Sequence, residues 1–130
     1  MTACRTVSVS IQRAPDEVYA YLLDAITFPQ WSAFITAIER AGETWQAKTP
    51  HGTVQIRFEP RNGYRVLDHS VTAHDGKKVW VPLRVLPNGP DGSEVMFSVF
   101  RQPEMSDEEF DADVGLVRAD LASLKKVLEA

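Results

Sequence analysis

The last quarter of the chain carries an apolar pattern that constrains what the rest can fold into. Six apolar residues recur there at intervals of four and three positions: Phe110, Val114, Val117, Leu121, Leu124 and Leu128. This spacing places them on one face of an α-helix. Ser106 and Glu109 have the spacing of a capping box, and Pro103 blocks an earlier start. A helix from Ser106 to Ala130 would run about 35 Å at roughly 1.5 Å per residue, so it needs a broad apolar surface to lie on.

Length, composition and charge indicate the class of protein to which the chain belongs. A chain of 130 residues has the usual size of one domain, so we expect a single domain over residues 1–130. Hydrophobic residues make up 44% and charged residues 25%, which is ordinary for a soluble globular protein. The formal charge of −4 argues against general nucleic-acid binding, because that function favours a basic surface.

Cysteine usage and hydropathy bear on the compartment. The single cysteine, Cys4, has no partner for an internal disulfide, which fits a reducing environment. No apolar run approaches the roughly 20 residues of a membrane span, and the N-terminus lacks the apolar core of a signal peptide. We therefore expect a cytoplasmic protein without membrane insertion.

The N-terminal quarter predicts one strand and two short helices. Apolar and polar residues alternate over 7–11, as in a half-buried strand. Pro15 suits the first turn of a helix that reaches about Leu23. Pro29 interrupts any continuation, so the segment 26–32 is expected to be a second short helix or a turn.

The middle of the chain predicts strands joined by short turns, which is typical of antiparallel meanders. Six candidate strands alternate with Gly-containing turns: Phe34–Arg40, Thr44–Thr49, Thr53–Pro60, Tyr64–Thr72, Lys78–Leu86 and Glu94–Gln102. Asp75-Gly76 is the strongest hairpin signal, because a type I′ turn needs positive φ at both central residues.

That turn would fix the register of the two strands beside it. It pairs His74 with Lys77, Thr72 with Val79, Ser70 with Val81, Asp68 with Leu83 and Val66 with Val85. His69 and Arg84 would then share one face of the sheet with Trp80. A slip of one residue would exchange the two faces completely.

The order of elements resembles a known superfamily. The resemblance rests on Ile11–Asp24 (IQRAPDEVYAYLLD), Phe28–Trp31 (FPQW) and the closing amphipathic helix. Shorter segments that agree are Val66–His69 (VLDH), Val81–Val85 (VPLRV) and Phe100–Pro103 (FRQP). On these residues the chain resembles the START-like, or SRPBCC, superfamily. Within it, the chain resembles many bacterial sequences of the polyketide cyclase/dehydrase-like group.

The resemblance implies an α+β helix-grip fold of the Bet v 1 kind. A curved, seven-stranded antiparallel sheet would wrap around the long C-terminal helix, with two short helices between strands 1 and 2. A cavity would lie between the sheet and the helix. Members of the superfamily bind lipids, sterols, polyketides or plant hormones, and some are cyclases or dehydratases, so the fold alone does not assign a function.

Two polar residues of the strands are candidate catalytic groups. His69 could act as a general acid or base near neutral pH, and Arg84 could stabilise an oxyanion. The alternatives are a satisfied polar group or dimer contact for His69 and a surface ion pair for Arg84.

Apolar side chains are the candidate ligand contacts, although such residues are more often core. The candidates are Trp31, Phe58, Trp80, Phe97, Val117 and Leu121. The sequence contains neither a phosphate-binding loop nor paired cysteines, and its three histidines lie in different settings, so we expect no cofactor and no metal.

Three functions remain open. The first is binding of a small hydrophobic or aromatic ligand, lipid-like or polyketide-like, in an enclosed cavity of a few hundred Å³. The second is a polyketide cyclase or dehydratase using His69 and Arg84 inside one cavity, so that enzymatic activity is left undecided. The third is a protein-interaction module with a filled core and an exposed apolar patch. A homodimer formed through a sheet face fits any of these.

Overall fold

The computed structural model describes residues 1–130. In chain order its elements are β1 (Cys4–Ile11), α1 (Pro15–Leu23), a 3₁₀ helix (Ala25–Gln30), β2 (Ala37–Ala41), β3 (Thr44–Thr49), β4 (Gly52–Phe58), β5 (His69–Ala73), β6 (Lys78–Val81), β7 (Leu83–Asn88), β8 (Gly92–Phe100) and α2 (Asp107–Glu129). The predicted α+β helix-grip architecture is confirmed. None of the helices is long and apolar enough to cross a membrane.

Helix α2 begins and packs as its sequence predicts. The Ser106 hydroxyl accepts a hydrogen bond from Glu109 N at 3.1 Å, and the Glu109 carboxylate accepts one from Ser106 N at 2.9 Å. The helix lies against β1 and β8. Of the six stripe residues, Phe110, Val114, Leu121 and Leu124 are buried, while Val117 and Leu128 are partly buried against the same core. The stripe thus packs the helix against β1 and β8.

The strands form two antiparallel sheets, β1-β8-β7 and β2-β3-β4-β5-β6. They are separated at Pro82, which divides the single strand predicted over Lys78–Leu86 into β6 and β7. Proline has no backbone N–H to donate to a ladder, so regular pairing stops there. The structure therefore has eight strands where seven were predicted.

Strand β5 is shorter than the predicted Tyr64–Thr72. Asn62 holds the preceding segment in a turn, because its side-chain Oδ1 accepts from Tyr64 N at 3.0 Å and Val66 N at 3.1 Å. Arg65 has a φ of 57°, which is incompatible with a strand. Only a single bridge, from Val66 to Arg84, continues the pairing before β5 begins at His69.

The predicted β5–β6 register is wrong by one residue. The connection is a three-residue loop, His74-Asp75-Gly76, because Ala73 N donates to Lys77 O at 2.8 Å. Gly76 alone has positive φ, 88°, as in a type I turn closed by a left-handed residue. Ser70 therefore pairs with Trp80 instead of Val81. One extra loop residue exchanges every side chain of one strand relative to its neighbour.

The two short helices lie between β1 and β2 as predicted, and they contact β2, β7 and β8. Helix α1 has the predicted bounds, with Pro15 in its first turn. The segment after it is a 3₁₀ helix that contains Pro29, and the Asp24 carboxylate accepts from Ile26 N at 3.4 Å at its start. Phe28 of this helix is buried and reaches the core.

Candidate functional site

The face of β3, β4 and β5 that turns toward the core carries mostly apolar side chains. The register places these on one face: Trp45, Ala47, Val54, Ile56, Phe58, His69 and Val71. Ala47 and Ile56 are completely buried, whereas Trp45, Phe58 and Val71 are only partly buried. This is the inner face, and His69 is its one ionisable residue among those seven.

Four rings meet where the inner face approaches the 3₁₀ helix, and we call them the inner aromatic cluster: Phe28, Trp31, Phe58 and His69. Phe28 lies 4.9 Å from Trp31 and 5.4 Å from Phe58, measured between ring centroids. The His69 ring lies 4.8 Å from Phe58 and 6.3 Å from Phe28. The tilted and edge-on geometries are those that aromatic pairs favour. The four rings thus form a packed group in which the imidazole of His69 and the indole N–H of Trp31 are the polar parts.

His69 is buried, with 4% of its surface exposed, and its ring has a defined orientation. Its Nδ1 lies 2.9 Å from the Leu67 carbonyl oxygen. A carbonyl only accepts, so Nδ1 carries the proton and Nε2 of the neutral ring presents a lone pair. Burial lowers the pKa of His69, although the Leu67 carbonyl and the Asp68 charge act in the opposite direction. The geometry therefore favours a neutral imidazole that accepts a hydrogen bond through Nε2.

Trp31 follows the 3₁₀ helix and is also 4% exposed. Its indole Nε1 is the only buried side-chain nitrogen or oxygen in the protein without a hydrogen-bond partner. Buried polar groups are normally satisfied, and an unpaired donor costs about 1–3 kcal/mol. The sequence predicted Trp31 as an apolar contact and did not single out its N–H.

Arg84 does not join His69, so the predicted arrangement is wrong. Its guanidinium Nη2 lies 2.8 Å from the Asp68 carboxylate, and 53% of the side chain is exposed. Val66, Asp68 and Arg84 occupy one face while His69 occupies the other, because adjacent strand residues point to opposite sides. The one-residue change in register is the cause. The alternative of an ion pair describes Arg84 in this structure.

Asp68 is a structural acceptor on that outer face. Its Oδ1 accepts from Leu83 N at 3.0 Å, immediately after the break at Pro82. Burial opposes its ionisation, but the hydrogen bonds from Arg84 and Leu83 outweigh this and lower the pKa of Asp68.

The six predicted ligand contacts divide between the two faces. Trp31 and Leu121 are buried in the core, and Phe58, Phe97 and Val117 are partly buried against it. Trp80 is the exception: it pairs with Ser70 on the outer face and is 47% exposed. Its predicted place in the cavity is wrong for the same reason as that of Arg84.

A further polar contact, which was not predicted, links α2 to the segment that follows Trp31. The Asp120 carboxylate accepts from Ala33 N at 3.1 Å and from the Ser32 hydroxyl at 3.4 Å. Partial burial raises the pKa of Asp120. Its only sequence signal was an acidic residue next to the stripe position Leu121, which does not distinguish it from a solvated charge. It fixes the segment that follows Trp31.

Two open clefts, each of about 330 Å³, lie away from the inner aromatic cluster. One follows β3–β5, and its lining includes the outer-face residues Gln46 and Gln55 as well as Trp45 and Val54 of the inner face. The other lies beside the N-terminus at Arg5, Arg101 and Phe110. The structure contains no group of three or more His, Cys, Asp or Glu side chains placed to hold a metal ion.

Comparisons with known proteins agree with this fold. A family model described as "Polyketide cyclase / dehydrase and lipid transport" matches residues 2–129. No curated protein matches the sequence.

Three solved structures have the same architecture. An uncharacterised protein from Bacillus thuringiensis is 21% identical, with a TM-score of 0.80 over 97% of this chain and 98% of that one. A START superfamily protein from Mycobacterium smegmatis is 12% identical, with a TM-score of 0.77 over 97% of both chains. An aromatase/cyclase from a Streptomyces species is 14% identical, with a TM-score of 0.76 over 99% of this chain and 94% of that one. At these identities the likeness shows the fold.

Proposed function

The chain belongs to the polyketide cyclase/dehydrase and lipid transport family, and we propose that it binds a small hydrophobic or aromatic ligand between the inner face of the sheet and α2. The ligand would contact Phe58, Phe97 and Val117, with Trp31 and Leu121 behind them.

One observation carries this proposal: side chains that face the core remain partly accessible. Five residues pack against the core, yet none is fully buried: Trp45, Phe58 and Val71 on the second sheet, Phe97 on β8 and Val117 on α2. Apolar surface that faces inward without being closed over favours occupation by an apolar molecule, because each buried Å² contributes roughly 25 cal/mol.

Adjacent residues of α2 provide a matched test. Val117 faces the core, whereas Leu116 beside it is exposed. A larger side chain at Val117 would occupy the proposed ligand space, and one at Leu116 would project into solvent. Binding would be measured with 1-aminoanthracene, an aromatic probe whose fluorescence rises in apolar surroundings.

We expect Val117→Trp to weaken binding of the probe about tenfold and Leu116→Trp to change it less than twofold, because only the first overpacks the site. Circular dichroism would show whether both variants fold. Equal affinities of the two variants would contradict the location. Native mass spectrometry of protein purified from its own host would then identify a co-purifying ligand class.

A second candidate function is proton transfer, and the geometry of His69 supports it. A buried, neutral imidazole with a free Nε2 and an anchored Nδ1–H has the geometry of a general base. In a cyclase or dehydratase it would remove a proton α to a carbonyl. Arg84 has no part in this version, because it lies on the outer face.

Hydrogen exchange in D₂O tests that function without knowledge of the natural substrate. If His69 is a base, the protein should accelerate deuterium incorporation at the methyl group of 1-acetonaphthone, and His69→Phe should abolish the acceleration. Arg84→Ala and His74→Gln, both at exposed positions, should retain it. Acceleration that survives in His69→Phe would exclude His69 as the base.

A further inference from the structure

Trp31, whose buried indole N–H is unpaired, belongs to the inner aromatic cluster. The indole packs on Phe28 at 4.9 Å, and Phe28 in turn contacts Phe58 and His69. An indole nitrogen only donates, so it needs an acceptor. The rings of Phe28 and Phe58 supply none, and the indole nitrogen does not bond to His69 either.

Backbone hydrogen bonds and packing together hold the segment that carries Trp31. Trp31 N donates to Phe28 O at 3.1 Å, and two residues later Ala33 N donates to the Asp120 carboxylate at 3.1 Å. These bonds fix the backbone on both sides of the indole, and the indole itself is enclosed by the core, where it packs on Phe28. A donor held this way, 96% buried and unpaired, is the arrangement expected of a group that is satisfied by a bound molecule.

We propose that Trp31 Nε1–H donates a hydrogen bond to an acceptor oxygen of the ligand, and so selects an aromatic carbonyl compound over a hydrocarbon of the same shape. This inference rests on the proposed function, since it assumes that the ligand reaches the inner aromatic cluster. Trp31 thereby becomes a specificity-determining residue rather than one more apolar contact.

Two small probes isolate this hydrogen bond. 1-Acetonaphthone and 1-ethylnaphthalene share the ring system and nearly the same size, but only the first has a carbonyl oxygen. We expect the wild-type protein to bind 1-acetonaphthone about 3- to 10-fold more tightly than 1-ethylnaphthalene, in keeping with one net hydrogen bond. Trp31→Phe should lose this preference and still bind 1-ethylnaphthalene, whereas Trp80→Phe, on the outer face, should keep it.

Nuclear magnetic resonance gives a readout that does not require the Trp31 variant to fold. The three tryptophans give three indole N–H signals in ¹⁵N-labelled protein. Trp45→Phe and Trp80→Phe assign the Trp31 signal by elimination. The Trp31 signal should move downfield with 1-acetonaphthone and not with 1-ethylnaphthalene, because a new hydrogen bond deshields the proton.

The outcomes separate this inference from the proposed function. If both probes bind with equal affinity, or the Trp31 signal responds to neither, the site exists but Trp31 is not its donor, and the inference is overturned. If neither probe binds, the proposed function fails and the inference fails with it. A preference for the ketone that disappears only in Trp31→Phe supports both.

Discussion

Asp68 and Arg84 form an ion pair across the outer face of the sheet, with 2.8 Å between the carboxylate Oδ2 and the guanidinium Nη2. The other carboxylate oxygen accepts from Leu83 N at 3.0 Å. Pro82 has interrupted the ladder immediately before Leu83, so a side chain supplies the acceptor that a neighbouring strand normally provides. The break between β6 and β7 thus explains why the Asp68 carboxylate is needed at this point of the sheet, where Arg84 also pairs with it.

Asp68, the buried partner of this ion pair, should contribute more to the free energy of unfolding than Arg84, the exposed partner. Asp68→Ala leaves Leu83 N–H buried and unpaired, which should lower the free energy of unfolding by about 1–3 kcal/mol. Arg84→Ala removes a half-exposed partner and should cost less than about 1 kcal/mol. Asp68→Asn keeps an acceptor for Leu83 and should resemble Arg84→Ala. Urea denaturation of the three variants measures these differences. A larger loss in Arg84→Ala than in Asp68→Ala would contradict this role of Asp68.

His69 should make stability fall in mild acid. Burial places its folded-state pKa below the ordinary value of 6.5, so the unfolded chain takes up the proton first as the pH decreases. Its contribution is therefore complete above about pH 6.5 and is lost below it, by at most about 1.4 kcal/mol per pH unit. Urea denaturation between pH 8 and pH 5 should show a smaller decline in His69→Phe than in the wild-type protein. His74→Gln, in the exposed loop, is the control and should decline like the wild type.

Substitution of Gly76 should destabilise the protein because of the backbone conformation at this position. Its φ of 88° is unfavourable for any residue with a Cβ, although there is open space around it. We expect Gly76→Ala to destabilise the protein by about 1 kcal/mol in thermal or urea unfolding. Gly63 also has open space around it and lacks the positive φ, so Gly63→Ala should be nearly neutral. Equal effects at both positions would argue against the left-handed conformation of Gly76.

Substitution of Gly115, in contrast, should stabilise the protein. It lies at an exposed position in the middle of α2, and an added Cβ would contact nothing within 4 Å. Alanine has a higher helix propensity than glycine by up to about 1 kcal/mol, so Gly115→Ala should raise the free energy of unfolding by about 0.5–1 kcal/mol. Differential scanning calorimetry would record a higher Tm. A decrease would mean that something approaches this position closely.

Asp120 should control the mobility of the segment after Trp31. Asp120→Ala removes the acceptor of Ala33 N, so the amide proton of Ala33 should exchange with solvent faster. Asp120→Asn retains a carbonyl oxygen and should protect Ala33 better. Hydrogen exchange followed by nuclear magnetic resonance measures both variants, with the amide of Glu109, capped by Ser106 at the distant start of α2, as an internal reference. Unchanged exchange in Asp120→Ala would show that this contact does not hold the segment.

Local patterns determined most of the architecture. The 3.6-residue repeat and capping box fixed α2, Pro15 fixed the start of α1, and the period-two run over 7–11 fixed a half-buried strand, because each of these signals acts within a few residues of the chain. Their order was enough for the resemblance that the family match confirmed.

Tertiary structure decided which polar side chains meet. A loop of three residues instead of two at His74-Asp75-Gly76 moved Arg84 and Trp80 to the outer face and left His69 inside. The hydrogen bond of Asp120 to Ala33 spans most of the chain, and the unpaired state of Trp31 Nε1 depends on every group packed around it. A side-chain pattern has a period of two or 3.6 residues and so records which face a residue occupies. It does not record what lies across from that face, which depends on loop geometry and on the packing of elements distant in sequence.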